Sequence, residues 1–185
     1  MPHAASATSA VGPAVTLPAR GLRALSIQAV LLVSASFLLP AAAHLFHLPV
    51  RWLLPMHWPV LLVGLTYGWR SGALVGMAAP ALSFLLSGMP RPEILPAMTV
   101  ELAAYGFLAG WLRQSLRWNG FASAAAALVG GRLVFLALAW ATGATAPAFL
   151  AYLQRAVVPG LIAGGAQLLL LPLLAGWWVQ RERRP

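Results

Sequence analysis

The chain has 185 residues, 61% of them hydrophobic and only 8% charged, with a mean hydropathy of +0.81. Soluble domains carry about 25% charged residues, so a water-soluble globule is excluded, and the low charge with abundant Leu and Trp is the reverse of a disordered composition. Twelve Arg face three Glu, with no Lys, no Asp and no Cys, for a net charge of +9.

A spanning helix needs about 20 mostly apolar residues, and that length sets the elements. Residues 1–22 read as a disordered tail: Met1 to Ala19 are rich in Ala, Ser, Thr and Pro, without helical period or charge. A membrane domain follows over 23–180, and a short basic tail over 181–185. The first span is expected over Arg23–Phe46 and the second over Pro55–Trp69, short and interrupted by Pro59. The third is expected over Ser71–Leu86, the fourth over Ile94–Leu116, the fifth over Phe121–Thr142 and the sixth over Tyr152–Val179. Proline is tolerated inside such helices because neighbours re-satisfy the freed backbone groups. The fold class is therefore all-α, a polytopic six-helix bundle, or five spans if the second and third form a broken hairpin.

A high isoelectric point usually raises nucleic acid as a partner, but these arginines stand singly between apolar runs. They read instead as markers of cytoplasmic helix ends. With the N-terminus inside, eight fall inside (Arg20, Arg23, Arg70, Arg113, Arg117, Arg181, Arg183 and Arg184). Three fall outside (Arg51, Arg91 and Arg155), and Arg132 alone is expected to be buried. Both termini are thus expected in the cytoplasm, with no nucleic-acid partner. Arg20, Arg23 and the apolar run to Leu39 before Ala41-Ala42-Ala43 imitate a signal peptide, but the leading region is too long for one.

Small residues recur at spacings of four: Gly64, Gly68, Gly72, Gly76 and Pro80, then Gly106 and Gly110, then Gly160 and Gly164. Such ridges let backbones approach closely, either inside the bundle or against another membrane subunit.

Ionisable groups inside a span are costly and by default mark a site. Glu101 lies about 9 Å below the outer end of the fourth span, and Arg132 about 16 Å from the inner end of the fifth. In a core about 30 Å thick their heights differ by about 5 Å, so they are expected to pair. The alternative is an ion pair that only specifies helix packing, though such pairs seldom add net stability. His44, His47 and His57 fall around the first outer loop, where three imidazoles could ligate a metal or haem iron. No carboxylate or thiol accompanies them there, and no metal or cofactor is assigned. Ser87 lacks a base in reach and there is no phosphate-cradling Gly-rich loop with lysine. The chain is not expected to be an enzyme and cannot hydrolyse ATP by itself.

The order of these segments resembles the substrate-binding S components of energy-coupling factor (ECF) vitamin transporters. The run Leu54-Pro55-Met56-His57-Trp58-Pro59 through Gly64 is similar to the start of their second helix. Pro80 through Pro90 resembles the third helix and following loop, and Glu101-Leu102-Ala103-Ala104-Tyr105-Gly106 with Gly110 the fourth. Gly131-Arg132-Leu133-Val134 and Gln167 through Pro172 resemble the fifth and sixth. The resemblance covers Leu25 to Val179 and implies a six-helix protein of a bacterial or archaeal cell membrane. It implies a vitamin-like ligand bound near the outer face and toppling against a transmembrane coupling subunit driven by two ATPases. Glu101, Arg132 and Tyr105 are the ligand contacts so implied, with His57 and Gln167 beside them. Arg132 would pair a substrate carboxylate and Glu101 accept from a ring N–H or amine, which suits a small polar or zwitterionic heterocycle of nicotinate or pantothenate kind. The family's Ala-x-x-x-Ala docking motif corresponds here to Ala29 and Val33, with Ala35 or the glycine ridge as further contributors. Two rival readings are a haem- or metal-compound-binding S component and a structural membrane scaffold of the same fold with no transported ligand.

Overall fold

In the computed structural model, which describes residues 15–141 and 149–184, the apolar runs become helices and no strand occurs among the described residues. Helix α1 (Leu22–Val33) continues through a π-helical turn (Ser34–Leu38) into α2 (Leu39–Leu45). Pro40 explains the widening, because it has no N–H to donate to the carbonyl one turn back. The hydroxyls of Ser34 and Ser36 donate to the carbonyls of Val30 and Leu32, both at 2.8 Å. After α3 (Val50–Leu53) come α4 (His57–Tyr67), α5 (Trp69–Ser87), α6 (Leu95–Gln114), α7 (Gly120–Ala141) and α8 (Phe149–Arg183).

Five of these runs are long and apolar enough to cross a membrane: Leu22–Leu45, Trp69–Ser87, Leu95–Gln114, Gly120–Ala141 and Val158–Arg183. The second expected span is different. Helix α4 has 11 residues, about 16 Å at 1.5 Å per residue, and ten of them are buried. A helix apolar on every side belongs inside a bundle, and α4 is its central pillar, packed on α1, α5, α6 and α8. It is shielded by protein rather than by lipid, so it need not match the bilayer thickness. Gly68 separates α4 from α5 at φ 89°, a conformation that glycine adopts without the steric cost of a Cβ.

The glycine ridge lies inside the bundle. A Cβ at Gly72 would strike the carbonyl of Gly106, and one at Gly106 would strike that of Gly72. A Cβ at Gly76 would meet the Leu102 carbonyl, and one at Gly110 would meet the backbone of Gly68 and Trp69. Close backbone approach replaces side-chain interdigitation here, and this face is unavailable to another subunit. The outward faces are apolar instead, as with Leu74, Leu85, Val129, Trp140, Leu161 and Leu169, all more than half exposed.

The start of α1 and the end of α8 meet. Arg23 pairs with Glu182 at 2.8 Å, and Arg183 donates to the Thr16 carbonyl at 3.1 Å. The N–H of Leu17 donates to the Thr66 carbonyl at 2.7 Å, and Gln28 Nε2 to the Ala19 carbonyl at 3.0 Å. Thr16 and Leu17 are buried. Thr16 to Ala19, expected in a tail, are therefore a packed strap across the bundle's base, ordered because their backbone groups find partners there. Residues 1–14 of that expected tail lie outside the described residues, as do Thr142 and the side chains of Arg51 and Arg155. At the other end α8 runs to Arg183, two residues beyond the expected start of the C-terminal tail.

Candidate functional site

Glu101 sits near the middle of α6 and is 3% exposed. Arg132 reaches it from α7: Nη1 lies 3.0 Å from Glu101 Oε1. The pair expected from helix heights is thus formed. Tyr105, one turn further along α6, donates its hydroxyl to the same carboxylate oxygen at 3.2 Å. Spacing of four on one helix makes this contact almost automatic.

His57 is delivered by the turn before α4. Leu54 takes a left-handed conformation (φ 45°), and its carbonyl accepts the N–H of His57 at 3.0 Å. Trp58 Nε1 donates to the Leu53 carbonyl at 2.8 Å, pinning the same turn. The His57 ring meets the Tyr105 ring edge-on at 5.1 Å between centroids. Its Nε2 lies 4.0 Å from Glu101 Oε1, beyond direct hydrogen-bond range, and neither ring nitrogen has a partner. Three side chains from three helices thus surround one carboxylate, with an unmet donor or acceptor left on the imidazole.

A cavity of about 410 Å³ opens beside this cluster, between α6, α7 and α8. Small-molecule sites span about 300–1,000 Å³. Arg132 and Tyr105 line it, with Leu128, Leu136 and Leu168 among its apolar walls and Leu54 at its rim. Gly160, Gly164 and Gly165 leave room on the α8 side: a Cβ at Gly164 or Gly165 would meet nothing within 4 Å, and one at Gly160 would come 2.7 Å from Arg132 Nη2. Gln167 also lines the cavity and is 0% exposed, and neither Oε1 nor Nε2 has a partner. A buried amide left so costs about 1–3 kcal/mol per unmet group.

The structure therefore brings together Glu101, Arg132, Tyr105 and His57, and sets Gln167 in the adjoining wall. His44 and His47 are exposed at the end of α2, apart from the buried His57. Among the described residues no three His, Cys, Asp or Glu gather as a metal-binding group, so the histidine-based haem or metal reading loses its geometry. Ser87 donates to the Ser83 carbonyl at 2.8 Å and accepts the Met89 N–H at 3.3 Å, as a helix-end cap does.

Two expectations need correction. Arg132 is not the one buried arginine: Arg113, assigned to a cytoplasmic helix end, is 7% exposed and its Nε has no partner. Its place at the end of a span looks in sequence like any interfacial arginine, and only packing against Gly120 shows otherwise. On the first helix Ala29 and Val33 face outward, but Ala35 is 0% exposed inside the π-helical turn, which packs against α4 and α5. It is not available to a partner in this conformation.

Comparison with known proteins adds one finding. The model of the family described as "ECF transporter, substrate-specific component" matches residues 23–175, while no curated protein and no solved structure gives a significant match. That match spans most of the chain and encloses the whole Glu101–Arg132 cluster and its cavity, so this membrane protein belongs to the family of substrate-specific components of ECF transporters.

Proposed function

We propose that this chain is the binding subunit of an importer for a vitamin-like small polar molecule, held in the cavity beside Glu101 and Arg132. The observation that carries this reading is the network of half-buried Arg132 with buried Glu101 and Tyr105 at the wall of a cavity of about 410 Å³. Intramembrane charge that lines a cavity marks a substrate pathway more often than a packing device. Arg132, on the cavity wall, offers further N–H donors to a carboxylate or other acceptor group, while Glu101 and His57 stand behind it, Glu101 fixing the guanidinium. The ligand class that suits this set is a small polar or zwitterionic heterocycle, of which nicotinate- and pantothenate-like molecules are examples.

Energy comes from other subunits. The chain has no lysine and no phosphate-binding loop, so a transmembrane coupling subunit and two cytoplasmic ATPases supply the power stroke. The protein topples in the bilayer against that coupling subunit, with Ala29 and Val33 of α1 at the contact. The excess of eight arginines over three supports a cytoplasmic position for both termini.

The direct test is to purify the full chain and identify any co-purified small molecule by mass spectrometry, then measure its binding. A bound polar heterocycle whose affinity falls at least a hundredfold in Arg132→Ala, with membrane insertion unchanged, is the expected result. Absence of any bound solute, with a thermal stability indifferent to a panel of vitamins, overturns the reading in favour of a scaffold.

A further inference from the structure

Among the described residues, Gln167 is the one cavity-lining polar side chain without a hydrogen-bond partner. It is 0% exposed, both its amide atoms are unsatisfied, and it borders the same cavity as Arg132 and Tyr105. Buried polar groups in folded proteins are almost always paired, so an amide held this way points to a partner that arrives with the ligand. Resting on the importer reading above, we infer that the substrate carries an amide-type edge, an N–H beside a C=O as in a lactam, ureide, pyrimidinone or carboxamide, and docks that edge on Gln167.

Chemistry selects this edge. A glutamine side chain presents an acceptor and two donors side by side. A ligand N–H donates to Oε1 while the adjacent ligand carbonyl accepts from Nε2, closing a cyclic pair of hydrogen bonds. A carboxylate meets only the Nε2 side and sets its second oxygen against Oε1. Recognition that would leave a buried polar group unpaired rejects the wrong ligand strongly, by factors of 10⁴ or more in favourable cases.

Position along α8 adds the ligand's shape. Gly160 abuts the Arg132 guanidinium, and Gln167 follows seven residues later on the same helix, about 10 Å along the axis. Between these two polar poles the wall includes Leu128 of α7 and the bare backbone of Gly164 on α8. The cavity therefore fits an elongated molecule. Its amide-edged ring lies at Gln167, its middle is apolar, and its acceptor-rich end, a carboxylate or polyol, faces the partly exposed Arg132.

Matched probes test this on the full chain in lipid nanodiscs by titration calorimetry. Biotin and lipoate share a pentanoate arm, but only biotin has a ureide; a pterin and its N3-methyl derivative form a second pair. The inference expects the edge-bearing member of a pair to bind at least tenfold more tightly, and Gln167→Leu to erase that preference. Arg132→Ala is expected to weaken both members alike. Leucine also removes the unmet amide, so ligand-free Gln167→Leu keeps or raises its thermal midpoint. A fall of that midpoint reveals a structural amide and overturns the inference, and Gln167→Met provides a second, unbranched replacement. Equal affinity within both pairs overturns it as well, while leaving the importer reading intact. A co-purified solute with such an edge supports it and one without overturns it. If no probe binds and no solute co-purifies, both readings fall together.

Discussion

Glu101 and Arg132 stand 3.0 Å apart at side-chain exposures of 4% and 17%, and the asymmetry matters. The carboxylate is sealed by Arg132 and Tyr105, while the guanidinium keeps part of its surface on the cavity. A buried ion pair adds little net stability, but stranding one partner costs about 3–5 kcal/mol. Arg132→Ala is therefore expected to lower the thermal midpoint of the detergent-solubilised protein through the abandoned Glu101. Replacing both, Glu101→Gln with Arg132→Gln, leaves two amides able to pair and is expected to recover most of that loss while ligand binding stays absent. Thermal unfolding and titration on the parent and these two variants separate the two roles. At this scale the sequence was partly legible. A charge inside an apolar run is conspicuous whatever surrounds it, which is why Glu101 and Arg132 stand out. The burial of His57 and Arg113 was not, because each sits at the end of its helix, where sequence cannot tell an interfacial side chain from one folded inward.

Helices α5 and α6 meet backbone to backbone through Gly72 and Gly106, and the same spacing of four recurs at Gly160 and Gly164 with the opposite meaning. Spacing reveals a shared face but not what that face touches. At Gly72 the neighbour is a rigid carbonyl, whereas at Gly164 it is open cavity. Gly106→Ala and Gly72→Ala are thus expected to force α5 and α6 apart and to lower stability in detergent by about 1–3 kcal/mol, the usual cost of overpacking. Gly164→Ala is expected to hold or gain up to about 1 kcal/mol from helix propensity alone. Gly164→Phe projects a ring into the cavity, so it is expected to leave the thermal midpoint near the parent value and to remove ligand binding. Thermal unfolding checks the first three variants and titration the last. Helix α4 shows a related limit of sequence reading. Its apolar run fits a short lipid-facing pass as well as one enclosed by the other helices, and only its ten buried residues distinguish them.

For the molecule as a whole, the meeting of chain ends constrains the path through the membrane. Arg23 at the start of α1 pairs with Glu182 near the end of α8, and the Thr16–Ala19 strap joins both to the foot of α4. Both ends therefore lie on one side of the bundle, which requires an even number of passes. Five long helices give an odd number, and the short α4, ending at Tyr67 against Trp178 of α8, supplies the sixth. Arginine asymmetry is expected to decide which side, since cytoplasmic ends carry the excess of positive charge. The chain has no Cys, so single cysteines report topology without background. In intact cells, a membrane-impermeant maleimide is expected to label Arg91→Cys, in the α5–α6 loop. Arg20→Cys and Arg184→Cys are expected to react only after permeabilisation. Labelling of Arg20→Cys and Arg184→Cys on opposite sides would break the even count and remove α4 as a pass. Labelling of both from outside would keep the bundle and invert it, turning the cavity beside Arg132 toward the cytoplasm and reversing the direction in which an importer must receive its ligand.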